Sequence, residues 1–128
     1  MKESILLFHI SDPDIKKKVD RALLPLRVRI RHIAREDYNQ PLGVLANVPD
    51  MTPLEERYDG EELSDTMIVF CGLSNQKLDQ ALLALKKSGA GPFPYKAILT
   101  PTNQHWLAKD CLTELKREHA YMTTRGNK

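Results

Sequence analysis

The sequence predicts an α/β fold, a small four-stranded and mostly parallel sheet in the strand order 2-1-3-4 with helices on both faces. Two runs, residues 4–10 (SILLFHI) and 66–72 (TMIVFCG), are almost continuously apolar, which is typical of strands buried on both faces. The first run is followed by Ser11 and Asp12, either of which can cap a helix, and the second run by Ser74. Apolar side chains at helical spacing come next in both cases. Strands that alternate with helices in this way indicate βαβ units.

The first half of the chain, residues 1–48, contains one such unit. Pro13 suits the first turn of a helix, and Pro25 ends that helix. Residues 27–33 (RVRIRHI) alternate between basic and apolar side chains, as expected for an edge strand with one solvated face. A short helix is expected within residues 35–47. The side chains of the first helix that are predicted to face the core are Ile15, Val19, Ala22, Leu23 and Leu26.

The second half, residues 66–122, repeats this plan and adds a last helix. The helix after Ser74 ends at Gly89, residues 95–100 (YKAILT) form a shorter strand, and Thr102 is expected to cap the last helix. Residues 123–128 are predicted to be a disordered tail. The side chains of the two helices that are predicted to face the core are Leu78, Ala81, Leu82, Leu85, Leu107, Cys111, Leu112 and Leu115.

The two halves are expected to form a single domain over residues 1–128. A content of 41% hydrophobic and 28% charged residues is enough for one core. Residues 49–65 between the halves are an acidic, Pro-containing loop, and residues 41–66 carry seven acidic side chains against one basic side chain. The net charge of the whole chain is only +2, which does not favour a dedicated nucleic-acid-binding protein.

A ferredoxin-like α+β sandwich has the same order of elements and is the alternative fold. Its sheet carries helices on one face only, so its central strands should alternate apolar and polar side chains. Residues 5–8 and 67–71 do not alternate. The sequence therefore favours a sheet covered on both faces.

No signal peptide or membrane span is predicted. The first apolar stretch stops at His9 and Asp12, and the longest apolar runs are far below the roughly 18 residues that a spanning helix needs. Cys71 and Cys111 lie in apolar segments without a C-x-x-C spacing, so we expect both to be reduced and structural. We expect a cytoplasmic protein without a membrane partner.

The predicted sheet provides a candidate ligand crevice. In open α/β sheets, ligands bind beyond the carboxyl ends of the strands where the strand order reverses, here between strands one and three. His9, Ser11 and Asp12 would line it after the first strand, and Ser74 and Asn75 after the third. Two helix N-termini at this crevice would favour an anion. Alternatively, the serines and the aspartate only cap their helices.

A second candidate cluster lies at the end of the fourth strand and the start of the last helix. It consists of Lys96, Thr100, Thr102, Asn103, His105 and Trp106. Lys96 could hold an anion beside the same crevice. The structural alternative has Lys96 lying along the strand edge and Trp106 closing one end of the core.

Four arginines form a candidate nucleic-acid surface. Alternate strand positions aim the side chains of Arg27, Arg29 and Arg31 in one direction, and Arg35 follows closely. Guanidinium groups pair well with phosphates. However, no aromatic side chain is interleaved for base stacking, and protection of a sheet edge is the alternative role.

Motifs of the common cofactor and catalytic sites are absent from the sequence. It contains no G-x-G-x-x-G, G-x-x-x-x-G-K-[ST], H-E-x-x-H or G-x-S-x-G string. No cofactor and no metal are therefore predicted. The sequence leaves open whether the protein is an enzyme, and it favours a protein without catalytic activity.

Residues 67–121 carry a more specific pattern. The string K-A-x-x-T-x-x-N-x-x-W runs from Lys96 to Trp106 and is followed by Glu114-Leu115 and Glu118-His119. On these residues the segment resembles a bacterial family catalogued as domain of unknown function 3783. The resemblance implies a bacterial origin and carries no activity, substrate or cofactor.

We therefore expect a non-catalytic binding or regulatory domain that recognises a small anionic ligand or a protein partner. One alternative is a nucleic-acid-associated protein that uses Arg27, Arg29 and Arg31, and another is a small enzyme that uses Lys96 with His9 and Asp12. A homodimer is also open, through an exposed edge strand or through the apolar segment of Leu42, Val44 and Leu45.

Overall fold

The computed structural model describes residues 3–126, and for residues 121–126 it describes the backbone alone. Along this part of the chain, four strands alternate with four α-helices. These are β1 (Ser4–Phe8), α1 (Pro13–Leu23), β2 (Arg29–Ile33), α2 (Leu42–Leu45), β3 (Met67–Cys71), α3 (Asn75–Lys87), β4 (Lys96–Ile98) and α4 (Ala108–Gly126). Short 3-10 turns occur at Leu24–Leu26, Arg35–Asp37 and Asn103–His105.

The strands form one sheet in the order β2-β1-β3-β4, as predicted. The outer pairs, β1 with β2 and β3 with β4, are parallel. The central pair is antiparallel, so that Ser4 lies opposite Cys71 and Phe8 lies opposite Met67. The sheet is therefore mixed but mostly parallel, and the two βαβ units run in opposite directions.

Helices cover both faces of the sheet. All five residues of β1 and all five of β3 are buried. Leu6 and Phe8 belong to the core beneath α2 and α4, whereas Ile5 and Leu7 belong to the core beneath α1 and α3. This two-sided burial confirms the α/β class and contradicts the ferredoxin-like alternative.

Two of the three predicted helix caps are present. The Asp12 carboxylate accepts a hydrogen bond from the Asp14 backbone N–H at 2.8 Å, and the Ser74 hydroxyl accepts one from the Lys77 N–H at 3.2 Å. The prediction for Thr102 is wrong. Its side chain makes no capping hydrogen bond, because the chain first forms the 3-10 turn at Asn103–His105 and α4 begins only at Ala108.

Two further expectations differ from the structure. Residues 123–126 continue α4 where a disordered tail was predicted, and residues 127–128 of that tail lie outside the described residues. Leu42 and Leu45 are 0% and 4% exposed, because they fill the core beneath α2. They are therefore unavailable for the dimer contact that their apolar character suggested.

Residues 49–65, here called the acidic strap, contain no helix or strand but are held at several points. The Gln40 side-chain amide donates to the Leu54 carbonyl at 2.7 Å and accepts from the Leu54 N–H at 2.8 Å. Just beyond the strap, the Thr66 hydroxyl donates to the His9 carbonyl at 2.7 Å. The chain therefore returns to the end of the sheet where β1 finishes, and β3 starts there and runs antiparallel to β1.

Candidate functional site

The predicted crevice between strands one and three does not form. Because β1 and β3 are antiparallel, the turns that follow them lie at opposite ends of the sheet. His9, Ser11 and Asp12 lie together at one end, next to Thr66. Ser74 and Asn75 follow β3 at the other end. The predicted crevice requires the carboxyl ends of both central strands to lie at the same end of the sheet, as in a parallel pair.

Thr100 and Asn103 of the second cluster have structural roles. The Asn103 side-chain oxygen accepts from the Thr100 N–H at 2.7 Å, and the Thr100 hydroxyl accepts from the Asn103 N–H at 3.0 Å. The Asn103 amide also donates to the Ile98 carbonyl at 2.9 Å. These two residues therefore fix the turn after β4. Trp106, 36% exposed, holds α2 in place, because its carbonyl accepts from the Leu42 N–H at 2.9 Å.

Lys96 lies apart from these residues, in a groove between α3 and β4. The register opposite β3 puts Lys96 and Ile98 on the same face of the sheet as Ile68 and Phe70, which is the face covered by α3. β4 is an edge strand, and α3 leaves a groove of about 420 Å³ beside it. The residues that line this groove, here called the α3–β4 groove, are Leu82, Leu85, Lys86, Gly89, Gly91, Pro92, Phe93 and Lys96.

The α3–β4 groove combines an apolar floor with two cations. Leu85 and Phe93 are buried at 4% and 8% exposure, whereas Lys86 and Lys96 are exposed. The Lys96 ammonium group donates to the Phe93 carbonyl, and an ammonium group has two further N–H groups to offer a ligand. No carboxylate is among the lining residues.

The groove is not predictable from the helical spacing of α3, which assigns Leu82 to the core. Leu82 is 36% exposed and lies on the rim of the groove. Helical periodicity indicates the face of α3 that points towards the sheet, but it does not tell how far the sheet extends beneath that face. Here the sheet ends one strand beyond β3, at β4.

A smaller and more polar cleft of about 150 Å³ lies at the carboxyl ends of β1 and β2, and its lining includes His9, Ser11, Lys16 and Arg35. Glu62 of the acidic strap enters it. The Glu62 carboxylate accepts hydrogen bonds from the Tyr38 hydroxyl and from the Leu63 N–H. Its distance from His9 Nδ1 is 3.5 Å.

Tyr38 forms the buried part of this cleft, and its hydroxyl bonds the exposed carboxylate of Glu62. Tyr38 is 1% exposed, and its burial, together with the hydrogen bond to Glu62, raises the pKa of its hydroxyl above the usual value. The cleft thus already contains an anion, Glu62, beside its cations, which makes it less suited to an anionic ligand than the α3–β4 groove.

The arginines of the candidate nucleic-acid surface differ in exposure and in what they contact. Arg31 is half-buried, and its guanidinium group donates to the Leu45 carbonyl at the end of α2. Arg27 has left-handed backbone at φ 56° and ends a 3-10 turn. Arg29 and Arg35 are exposed. Use of this surface for nucleic acid stays a prediction.

Both cysteines are buried and unpaired. Burial raises the pKa of the Cys71 thiol to about 11 and that of the Cys111 thiol to about 12. Among residues 3–126, no three His, Cys, Asp or Glu side chains come together in a way that could hold a metal ion. In the same part of the chain, no helix combines the length and apolar character that crossing a membrane requires.

Residues 66–122 match the family model described as Domain of unknown function (DUF3783). The resemblance inferred from the motif between Lys96 and Trp106 is therefore confirmed over these residues, which contain β3, α3, β4 and most of α4. Comparison of the chain with curated proteins and with solved structures gives no match. The α3–β4 groove lies wholly within the matched segment.

Proposed function

We propose that this protein is a non-catalytic binding domain that recognises a small anionic ligand in the α3–β4 groove. The observation that carries the proposal is the position of Lys86 and Lys96 at the rim of an otherwise apolar groove. Its volume of about 420 Å³ falls within the range of roughly 300–1,000 Å³ that is typical of ligand pockets.

Charge favours an anion over a cation or a neutral ligand. The two ammonium groups reach the groove from different elements, Lys86 from the last turn of α3 and Lys96 from the first residue of β4. None of the other lining residues carries a charge. The positive potential of the two lysines is therefore not cancelled by a lining carboxylate. In the smaller cleft at the carboxyl ends of β1 and β2, by contrast, Glu62 lies beside the cations.

The edge of the sheet favours a small ligand over a protein strand that would pair with β4. β4 has only three residues, and the Ile98 carbonyl is already bonded by the Asn103 side chain. An added strand would gain few backbone hydrogen bonds there. Such protection of an edge is a common device against unwanted strand pairing.

A binding role is better supported than catalysis at Lys96. The enzyme hypothesis requires Lys96, His9 and Asp12 in one site, but Lys96 lines the groove whereas His9 and Asp12 line a separate cavity at the end of β1. Lysine is the one titratable residue type in the groove, and both lysines are open to solvent. This arrangement offers an anion a counter-charge but no acid and base pair.

The proposal includes a bacterial cytoplasmic setting. The bacterial origin is supported by the family resemblance alone. Two buried, unpaired thiols fit a reducing compartment, in which disulfides are rare.

The proposal is tested by a thermal-shift screen of the full chain against medium-chain carboxylates, phosphorylated metabolites, nucleotides and a short DNA oligonucleotide. A ligand at 100 times its Kd should stabilise the fold by roughly 2.7 kcal/mol, a readily measured shift in Tm. Stabilisation by an anion that a neutral analogue does not reproduce is the expected result.

Paired variants locate the site of any such anion. Lys86→Ala and Lys96→Ala should each weaken binding at least fivefold, whereas Lys87→Ala, an exposed neighbour outside the groove, should leave the Kd unchanged. Equal effects of Lys86→Ala and Lys87→Ala would contradict the proposed site. Binding of the oligonucleotide that falls steeply with salt and is lost in Arg29→Ala would instead support the nucleic-acid hypothesis.

A further inference from the structure

We infer that the ligand of the α3–β4 groove is an amphipathic anion, with one carboxylate or phosphate head on a hydrocarbon body. This inference rests on the proposed function and narrows it to a ligand class. It excludes nucleotides, sugar phosphates and small inorganic anions, all of which would be compatible with the two lysines alone.

The lining of the groove sets this restriction. Apart from the two lysines, it consists of leucine, glycine, proline and phenylalanine, and it contains no hydroxyl, amide or carboxylate side chain. A ribose or a base placed on this floor would leave its polar groups without hydrogen-bond partners, which is costly. A hydrocarbon body has no such groups and gains free energy when it leaves water.

The depth of the groove residues gives the ligand an orientation. Leu85 and Phe93 form the buried floor, while Lys86 and Lys96 stand exposed above it. The hydrogen bond from the Lys96 ammonium group to the Phe93 carbonyl holds that cation at the rim. The head of the ligand therefore lies at the rim and its body on the floor.

Two further lining residues are compatible with a hydrocarbon body on the floor. Gly89 ends the turn after α3 at φ 75°, and a Cβ atom added there would have no atom within 4 Å, so the space beside it is empty. Leu82 borders the groove with 36% exposure. Its side chain would be covered by a hydrocarbon body but not by a hydrophilic ligand.

The test measures the Kd of the full chain for hexanoate, octanoate and decanoate by calorimetry at constant ionic strength. Burial of hydrocarbon should lower the Kd by up to about fourfold for each methylene that reaches the floor. Octanol, which lacks the charge, should bind at least tenfold more weakly than octanoate. Octyl phosphate distinguishes the two head groups, and AMP and glucose 6-phosphate serve as hydrophilic anions.

Matched variants test whether the dependence of the Kd on hydrocarbon length arises in the groove. Leu82→Ala should weaken the binding of decanoate more than that of hexanoate. Leu83 is an exposed neighbour that does not line the groove, so Leu83→Ala should leave both Kd values unchanged. Both are surface leucines of α3, and circular dichroism would verify that each variant is folded.

The outcomes separate this inference from the proposed function. The ligand class would be overturned by Kd values that do not depend on chain length, or by tighter binding of AMP or glucose 6-phosphate than of octanoate. If Lys86→Ala and Lys96→Ala still abolished the binding of these anions, the proposed anion site would stand. The absence of binding by every anion in the set would overturn both.

Discussion

Most of the polar residues that the sequence suggests as ligand contacts form hydrogen bonds with the backbone instead. Asp12 and Ser74 cap helices, and Asn103 bonds both the Thr100 N–H and the Ile98 carbonyl. Capping by Asp12 and Ser74 was recognisable from residue type and position because these bonds are local, but the same reasoning failed for Thr102, which a 3-10 turn follows. The contact of Asn103 with Ile98 was not recognisable, since it depends on the turn that follows β4. Lys96, in contrast, donates to the Phe93 carbonyl, and its ammonium group keeps two further N–H groups in the groove.

The capping role of Ser74 predicts a specific loss of stability. Ser74→Ala should lower the free energy of unfolding by about 1 kcal/mol, because the Lys77 N–H loses its acceptor. Urea denaturation measures this change, and Asn75→Ala at the next position is the control. Octanoate affinity should be unchanged in Ser74→Ala. Loss of affinity without loss of stability would restore Ser74 as a ligand residue.

The buried thiols predict how stability depends on pH. The pKa values of Cys71 and Cys111 are raised from 9.0 to about 11 and about 12, so the folded state keeps both protonated where the unfolded state ionises. The contribution of the two thiols to the free energy of unfolding is therefore complete below about pH 9, and it is lost as the pH rises through 11 and 12. Urea unfolding at pH 8 and pH 10.5 should show lower stability at the higher pH.

A Cys71→Ala, Cys111→Ala double variant provides the control for this pH dependence. It removes both thiols, so the fall in stability between the two pH values should become smaller. An Ellman assay at pH 8 gives a second readout, in which both thiols should react only after denaturation. Rapid labelling of the native protein would contradict their burial.

At the level of elements, the acidic strap illustrates what the sequence could and could not predict. Its prolines and charges correctly indicated a segment without helix or strand between the two halves. They gave no indication that Leu63 is buried in the core, that Gln40 holds Leu54, or that Glu62 bonds the buried Tyr38. These contacts join residues far apart in the chain, so no local pattern encodes them.

Tyr38 anchors the acidic strap, and Tyr38→Phe should loosen it. The variant keeps the ring, which packs against Tyr58 at 5.6 Å between centroids, but removes the hydrogen bond to the Glu62 carboxylate. Because the Glu62 carboxylate is exposed and water can replace the lost donor, stability should fall by about 0.5–1.5 kcal/mol, the range of a typical hydrogen bond. Hydrogen exchange of the Leu63 amide, which donates to Glu62, should become faster.

Tyr58→Phe is the matched control, since its hydroxyl donates to the uncharged Glu61 carbonyl at a more exposed position. It should lower stability by less than Tyr38→Phe does. If the two variants behaved alike, the hydrogen bond to Glu62 would not be the anchor of the acidic strap.

For the whole molecule, the sequence predicted the order of the strands but not the direction of the central pair. Apolar runs such as residues 5–8 and 67–71 read alike in either direction, and both are buried on two faces in a parallel or an antiparallel arrangement. The direction depends on where the long connection before β3 returns to the sheet. Because β1 and β3 are antiparallel, the predicted crevice does not form. The groove at the edge of the sheet depends instead on the strand order, which makes β4 the outer strand.

The antiparallel centre also predicts that residues 66–122, although they match a family model, do not fold alone. β3 pairs with β1 along all five of its residues, and removal of residues 1–65 would expose that edge and part of both cores. Circular dichroism of the 66–122 fragment should show no cooperative thermal transition, and mixing it with a 1–65 fragment should restore one. A cooperative transition of the 66–122 fragment alone would contradict this prediction.

The most direct test of the α3–β4 groove is an NMR titration of the ¹⁵N-labelled full chain with octanoate. If octanoate binds in the groove, the amide signals of its lining residues should shift together and saturate, namely those of Leu82, Lys86, Gly89, Phe93 and Lys96. The signals of His9, Ser11 and Arg35 should stay in place. Saturable shifts confined to His9, Ser11 and Arg35, or no saturable shifts at all, would contradict binding in the groove.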